Sequence, residues 1–287
     1  MVLSYPLFFT VYAATLVIGA IASLLLIVGW SNISITKVFA SVKYNIIYVA
    51  ILIALPLLIL QTRLEINAEN EFYYTNWMFQ LSGEAIKVLQ DRLNYSVLQD
   101  LFIAIYVWVF SFIIYFSPIL LLVKDDRATL RRYAIAMTLN YLVLIPFYVF
   151  FPVAVSASTP EAGMRPVLYD SLNWGKLVTS VDPLNNDFPS GHVSLMVVTF
   201  LVFYLAGIEY RRYYYFLATA TTAISFAVLY LGIHWPPDVF AGFVVGVAMA
   251  VVSGSPRIQM TIDRYVRMLT GRIMPSSEDH ATPPESP

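Results

Sequence analysis

Two histidines lie beside turn-forming residues at the ends of apolar runs, where a side chain that only fills space is not expected. His192 closes the segment FPSGH, and His234 lies within YLGIHWPPD. An imidazole with its ordinary pKa of about 6.5 can gain or lose a proton near neutral pH. The pair therefore points to acid-base or nucleophilic chemistry.

The residues around each histidine indicate what each could do. The Pro-Ser-Gly turn before His192 leads into a helix whose first amides are unpaired and partly positive, which favours an anion. At this rim His192 could protonate a departing ester oxygen. Two prolines after His234 begin the next helix and place Asp238 in its first turn. The Asp238 carboxylate can accept a hydrogen bond from one ring nitrogen of His234, which leaves the other free to attack phosphorus.

A third segment, STPEAGMRP, precedes both histidines and contains Arg165. Its guanidinium offers a planar fork of donors that suits phosphate oxygens, so we predict that Arg165 binds phosphate. Lys176 is kept as a further candidate, although for Lys176 and Asp187 a structural role is the favoured interpretation. A His-x-x-x-Asp pair provides two metal ligands without a clustered third, so we expect no metal and no other cofactor.

The composition describes the surroundings of these residues. Of 287 residues, 59% are hydrophobic and 12% charged, which is typical of an integral membrane protein. The absence of cysteine excludes disulfides and thiolate sites. No basic run indicates nucleic-acid binding, so the expected partners are membrane lipids.

Seven uncharged stretches approach the roughly 20 residues that a helix needs to cross a bilayer. We therefore predict an all-α fold, a polytopic membrane helix bundle with six to seven transmembrane helices. The first stretch lacks the features of a cleaved signal peptide and is expected to be retained. The stretches are Pro6–Gly29, Tyr44–Gln61, Leu101–Val123, Tyr133–Ala157, His192–Ile208, Tyr213–Ile233 and Val239–Ser253.

With seven spans, most of the 17 basic residues fall on loops of one side. By the positive-inside rule that side is cytoplasmic and includes the C-terminus. The three chemistry-bearing segments then meet on the other side, so we predict a site at the extracytoplasmic face.

The chain divides into three regions by pattern. Residues 1–130 are expected to form N-terminal transmembrane helices, with an interfacial amphipathic helix near 66–97. Residues 131–254 are expected to form the catalytic helix core, where the small-residue motif of Gly242–Gly246 lets helices pack closely. Residues 255–287 are expected to be a cytoplasmic tail without stable structure, and His280 within it is given no role.

FPSGH followed by YLGIHWPPDVFAG resembles the type 2 phosphatidic acid phosphatase superfamily, the vanadium-haloperoxidase-like phosphoesterases, over Arg165 to Val251. The resemblance implies a phosphatidic-acid-phosphatase-like core and a metal-free mechanism. It implies that His234 is a nucleophile forming a phosphohistidine and that Asp238 orients it. It further implies that His192 is the general acid and that Ser190 and Gly191 bind phosphate.

The sequence departs from this family's pattern at two places. Ala227 and Val228 occupy positions where members usually have Ser-Arg, and Ser158 occupies the place of a usual lysine. These changes weaken the expected phosphate clamp. The sparse pattern looks more like the branch containing inositol phosphorylceramide synthase, which moves a headgroup to a lipid alcohol.

Three functions follow as hypotheses. The first is a membrane phosphoesterase that acts on a lipid phosphate or a polyprenyl diphosphate through a phosphohistidine. The second is a phosphotransferase that passes a phosphoryl headgroup, such as phosphoinositol, to a lipid alcohol. The third is a non-enzymatic transporter or a degenerate member that only binds its ligand. The lipid, the acceptor and the oligomeric state stay open at this point.

Overall fold

The computed structural model describes residues 4–61, 68–159, 162–181 and 184–273. These residues contain helices and no strand, with one isolated bridge between Val153 and Asn186, and the predicted all-α fold is confirmed. The helices are α1 (Tyr5–Ile27), α2 (Ile35–Tyr44), α3 (Ile46–Gln61), α4 (Ala68–Ser82), α5 (Ala85–Arg92), α6 (Ser96–Ala104), α7 (Phe110–Val123), α8 (Arg127–Phe150), α9 (Leu172–Val181), α10 (Gly191–Ala206), α11 (Arg211–Tyr230), α12 (Pro236–Val252) and α13 (Pro256–Ile273).

Several helices are long and apolar enough to cross a membrane. Three qualify singly: α1, α8 and the helix that runs from Ser96 to Val123. Two bent pairs qualify if each pair is one span, namely α2 with α3, bent by 78°, and α12 with α13, bent by 73°. Helices occur at all seven predicted positions, but α10 has only 16 residues. The seven-span count and its sidedness stay predictions.

Two predicted span boundaries were wrong. The stretch Tyr44–Gln61 contains a break at Asn45, whose side-chain amide donates to the carbonyl of Ser41 at 2.8 Å and ends α2. The fourth span was expected to continue to residue 157, but α8 ends at Phe150. Pro152 follows, and the residue before a proline is disfavoured from helical dihedrals.

The predicted interfacial helix near 66–97 is two helices, α4 and α5, separated by a turn at Gly83 with a φ of 55°. Positive φ suits glycine, which has no Cβ to clash. Met78 of α4 and Ile86 of α5 are buried in one apolar cluster with Val153 and Trp235. The hydroxyl of Thr75 accepts a hydrogen bond from the amide of Ala154 at 2.9 Å. These helices therefore pack against the rest of the protein and do not only rest on an interface.

The predicted unstructured tail from residue 255 was also wrong for its first part, because α13 is a helix. It is held by Asp263, whose carboxylate accepts hydrogen bonds from Arg131 at 2.6 Å and from Tyr48 at 3.1 Å. The side chain of Gln259 accepts a further bond from Arg131 at 3.1 Å. Residues 274–287, including His280, lie outside the described residues.

Helix α10 lies at the centre of the packing, against α8, α11 and α12. A Cβ atom added to Gly242 would lie 2.5 Å from the backbone oxygen of Ser190. One added to Gly246 would lie 2.7 Å from the oxygen of Ser194. The predicted close packing at Gly242–Gly246 is confirmed, and it places α12 directly against the start of α10.

Candidate functional site

The two histidines meet through their rings. His192 is the second residue of α10, and His234 lies in the short segment between α11 and α12. The Nδ1 atom of His192 lies 3.2 Å from the Nε2 atom of His234, within hydrogen-bond distance. The two histidines are 42 residues apart in sequence. The packing of α10 against α11 and α12 brings them together.

The other ring nitrogen of His234 faces two carboxylates. Its Nδ1 atom lies 3.7 Å from an oxygen of Asp238, the predicted orienting residue, and 3.6 Å from an oxygen of Asp187. All three side chains are almost completely buried. Burial lowers the pKa of His234 to about 3, and a backbone hydrogen bond at Asp187 acts in the opposite direction. His234 is therefore a neutral imidazole near neutral pH, as a nucleophile must be.

Asp238 also holds the helix on which it lies. Its carboxylate accepts a hydrogen bond from the amide of Trp235 at 2.8 Å and caps the first turn of α12. The backbone oxygen of Asp238 accepts from the amide of Ser190 at 3.0 Å. Asp238 therefore links the segment that contains His234 to the start of α10.

Asp187 was not favoured by sequence reasoning, yet it lies as close to His234 as Asp238 does. The only signal for it is its place five residues before His192, in the turn that begins α10. The backbone bridge between Val153 and Asn186 holds that turn against the segment after α8.

The predicted phosphate binders Ser190 and Gly191 form the N-terminus of α10. The Ser190 side chain is buried and accepts a hydrogen bond from the amide of Val193 at 3.3 Å, which caps the helix. A Cβ atom at Gly191 would lie 2.5 Å from the hydroxyl of Tyr148, so only glycine permits that approach. In this structure the Ser190 hydroxyl oxygen therefore caps the N-terminus of α10.

Arg165 and Lys176 lie apart from this pair. The Arg165 guanidinium donates to the side chain of Asn94 and to the backbone oxygen of Gln90. Its main chain is closer to the site, since a Cβ atom at Gly232 would lie 3.0 Å from the Arg165 oxygen. Lys176 is exposed on α9. The phosphate role of both residues stays a prediction.

A cavity of about 440 Å³ opens onto His192. Its lining is mainly aliphatic and aromatic, and its described lining residues include no Asp, Glu, Lys or Arg. Helices α1, α7, α8, α9 and α10 contribute to it. The site thus has an apolar approach to the histidine pair. Lining residues include Phe9, Tyr12, Phe110, Tyr141, Tyr148 and Leu195.

The metal prediction needs a correction in its premise. The His-x-x-x-Asp motif supplies two ligands, but Asp187, His234 and Asp238 each offer a ligand atom, and these atoms lie within 4.8 Å of one another. The third group that was missing from the sequence motif is therefore supplied by the turn before α10. The same geometry also suits a proton on His234 Nδ1 between two carboxylates.

Comparison with known families agrees with the motifs. The model of the PAP2 superfamily matches residues 162–255, which include Arg165, both histidines and Asp238. Searches of curated proteins and of solved structures found no match. Members of this superfamily are generally phosphatases, and the match supports a phosphatase or phosphotransferase type of function. Residues 162–255 of this chain, set among helices that suit a membrane, are thus similar to the PAP2 superfamily.

Proposed function

We propose that the protein is a membrane phosphoesterase that acts on a lipid phosphate or a polyprenyl diphosphate through a phosphohistidine at His234. The observation that carries this proposal is the 3.2 Å contact between the rings of His192 and His234, with two carboxylates behind the second ring. An acid-base group beside a buried, oriented nucleophile is the arrangement that two-step group transfer requires.

His234 acts as the nucleophile through Nε2. The carboxylates of Asp187 and Asp238 keep the proton of the neutral ring on Nδ1, so the lone pair lies on Nε2. His192 protonates the leaving oxygen as the nitrogen-phosphorus bond forms. In the second step His192 accepts a proton from the acceptor, whose oxygen displaces His234 from phosphorus.

The two rings must separate before this chemistry. A phosphorus atom in line between the nucleophilic nitrogen and a protonated leaving oxygen needs roughly 6 Å between the ring nitrogens. In the structure these two nitrogens are 3.2 Å apart. Substrate phosphate would therefore replace the direct contact of His192 with His234.

The cavity supports an amphiphilic substrate. Its volume of about 440 Å³ and its apolar lining suit an acyl or prenyl chain, while the phosphate lies at the N-terminus of α10. Amides at a helix N-terminus carry partial positive charge and partly offset the lack of lysine and arginine in the described lining. Arg165 would contribute only after its guanidinium leaves Asn94.

One observation favours a second candidate, transfer to a lipid alcohol. His234 is only 2% exposed, and the cavity that leads to His192 is lined mainly by apolar side chains. Restricted access for water slows hydrolysis of a phosphohistidine and leaves time for an alcohol to bind. The product that forms shows whether water or an alcohol is the acceptor.

The test uses purified full-length protein in mixed micelles with labelled phosphatidic acid, a polyprenyl diphosphate, or phosphatidylinositol with a lipid alcohol. Free phosphate identifies a phosphatase, and a new phospholipid identifies a transferase. We expect His234→Ala to lower turnover at least about 1,000-fold, because removal of the nucleophile removes both steps.

His280→Ala is the matched control, since sequence analysis gives that histidine no role. We also expect acid-labile, base-stable labelling of the protein that is absent in His234→Ala. No product from any of the three substrates, or full turnover in His234→Ala, would refute the proposed function.

A further inference from the structure

Tyr106 holds the second ring nitrogen of His192. Its hydroxyl lies 3.0 Å from the Nε2 atom, and the two ring centroids are 4.8 Å apart. Tyr106 is 4% exposed and lies 86 residues before His192, outside the region that matches the family model. It is part of a five-residue π-helical turn, Ile105–Val109, between α6 and α7. Such turns occur frequently at functional sites.

The hydrogen-bond chain has one direction when both rings are neutral. The carboxylates behind His234 favour a proton on its Nδ1 atom, so its Nε2 atom is an acceptor. The Nδ1 atom of His192 must then donate across the 3.2 Å contact, and its Nε2 atom must accept. The hydroxyl of Tyr106 is the donor to that nitrogen.

We propose that Tyr106 is a positioning residue that lets His192 alternate between acid and base. This proposal rests on the proposed function. A tyrosine hydroxyl can donate to a bare nitrogen or accept from a protonated one, whereas a carbonyl or carboxylate can only accept. It therefore provides a partner for the Nε2 atom of His192 in every protonation state of the cycle.

Each proton of His192 is accounted for in both reaction steps when Tyr106 is the partner of its Nε2 atom. When phosphate binds and His192 gains a second proton, its Nε2–H donates to the Tyr106 oxygen. His192 then gives its Nδ1 proton to the leaving oxygen as the phosphorus-oxygen bond breaks and the bond to His234 forms. The resulting neutral ring has its proton on Nε2 and a lone pair on Nδ1, which takes the proton of the acceptor in the second step.

The surroundings of His192 offer few other groups that could do this. The ring of Phe110, one helical turn after Tyr106, packs against His192 with centroids 4.7 Å apart and is apolar. No lining residue that the structure describes around the cavity carries a permanent charge. The titratable groups that face His192 are Tyr106 and His234, the cavity tyrosines Tyr12, Tyr115, Tyr141 and Tyr148, and Asp187 and Asp238 behind His234.

The test compares Tyr106→Phe with Tyr213→Phe in the full-length protein. Tyr213→Phe also removes a buried hydroxyl hydrogen bond, the 2.9 Å contact of Tyr213 with Ser117. This contact lies in the helix core away from the histidines. In Tyr106→Phe the Nε2–H of protonated His192 loses the Tyr106 hydroxyl as its acceptor, which costs about a factor of 10 to 100 in turnover. The alkaline limb of the pH profile, where the acid loses its proton, should move to lower pH, because a hydrogen bond from the charged ring is stronger than one from the neutral ring.

The leaving group separates positioning from mere loss of structure. With an alkyl phosphate, which needs protonation of the departing oxygen, Tyr106→Phe should slow single-turnover release of the alcohol. With an aryl phosphate whose phenol leaves without a proton, release should be nearly as fast as in the unmodified protein. Tyr213→Phe should match the unmodified protein with both substrates.

Failure of this proposal differs from failure of the proposed function. If the unmodified protein is active and His234→Ala is not, but Tyr106→Phe keeps the normal pH profile or slows both substrates equally, the positioning role is refuted. An unmodified protein that is inactive with every substrate refutes the proposed function and this role together.

Discussion

An oxygen of the Asp187 carboxylate lies 3.6 Å from Nδ1 of His234, although sequence reasoning assigned the orientation of that ring to another residue. Both side chains are at most 4% exposed, so their interaction is little screened by water. The Nδ1 atom of His234 therefore faces one carboxylate from the turn before α10 and another from α12. These two elements meet only in the folded protein.

Substitution of either carboxylate should slow the reaction by keeping the proton less firmly on Nδ1. We expect Asp187→Asn and Asp238→Asn each to lower turnover about 10- to 100-fold, and the double variant to lose less than the product of the two. Asp238→Asn should keep most of the stability of the α12 cap, because the asparagine amide oxygen can still accept from the amide of Trp235. Steady-state kinetics and thermal unfolding measure these effects, and full activity in Asp187→Asn would rule out its orienting role.

The contact between α10 and α12 predicts a strong effect of one methyl group. In Gly242→Ala the new Cβ would meet the backbone oxygen of Ser190 at 2.5 Å, so α12 must shift and move the start of α10. We expect a lower melting temperature. We also expect a lower activity per amount of folded protein. Gly19→Ala in α1 is the control, since its Cβ meets only a ring of Phe112 at 3.9 Å. An unchanged Gly242→Ala variant would contradict the close packing.

Stability should depend on pH through His234. Burial lowers its pKa from 6.5 to about 3, so between these values the unfolded chain binds a proton that the folded protein does not. Stability from this group is present above pH 6.5 and decreases as the pH falls toward 3. Thermal unfolding of the unmodified protein and of His234→Gln between pH 7 and about 4 tests this. The variant should show a smaller decrease, and equal decreases would refute the assignment.

Metal removal should leave the reaction intact if Asp187, His234 and Asp238 share a proton. We expect activity to survive dialysis against a chelator and the purified protein to hold no stoichiometric metal. Loss of activity that is restored by a divalent ion would instead assign these three groups to a metal. Elemental analysis of the same sample distinguishes an ion at this site from one carried by the substrate.

How much of the site could be predicted differs from residue to residue. His192 and His234 were found because local signals surround them, a Pro-Ser-Gly turn in one case and a Trp-Pro-Pro-Asp turn in the other. Arg165 was predicted from its residue type and its place in STPEAGMRP, and its guanidinium donates to Asn94 and to the backbone oxygen of Gln90. The type of a side chain indicates what it can bind, whereas its direction depends on the neighbours that packing supplies.

The sequence by itself determined the apolar helices, the two histidine motifs and the small-residue contact of α12, because each depends on residues close together in the chain. Only the tertiary structure decided that Asp187 joins His234, that Tyr106 holds His192, and that Asp263 fastens α13 to Arg131. Tyr106 and His192 are 86 residues apart, and Arg131 and Asp263 are 132 apart. No local pattern encodes such pairs, since they form only when helices with buried faces choose their neighbours and bring distant polar groups together.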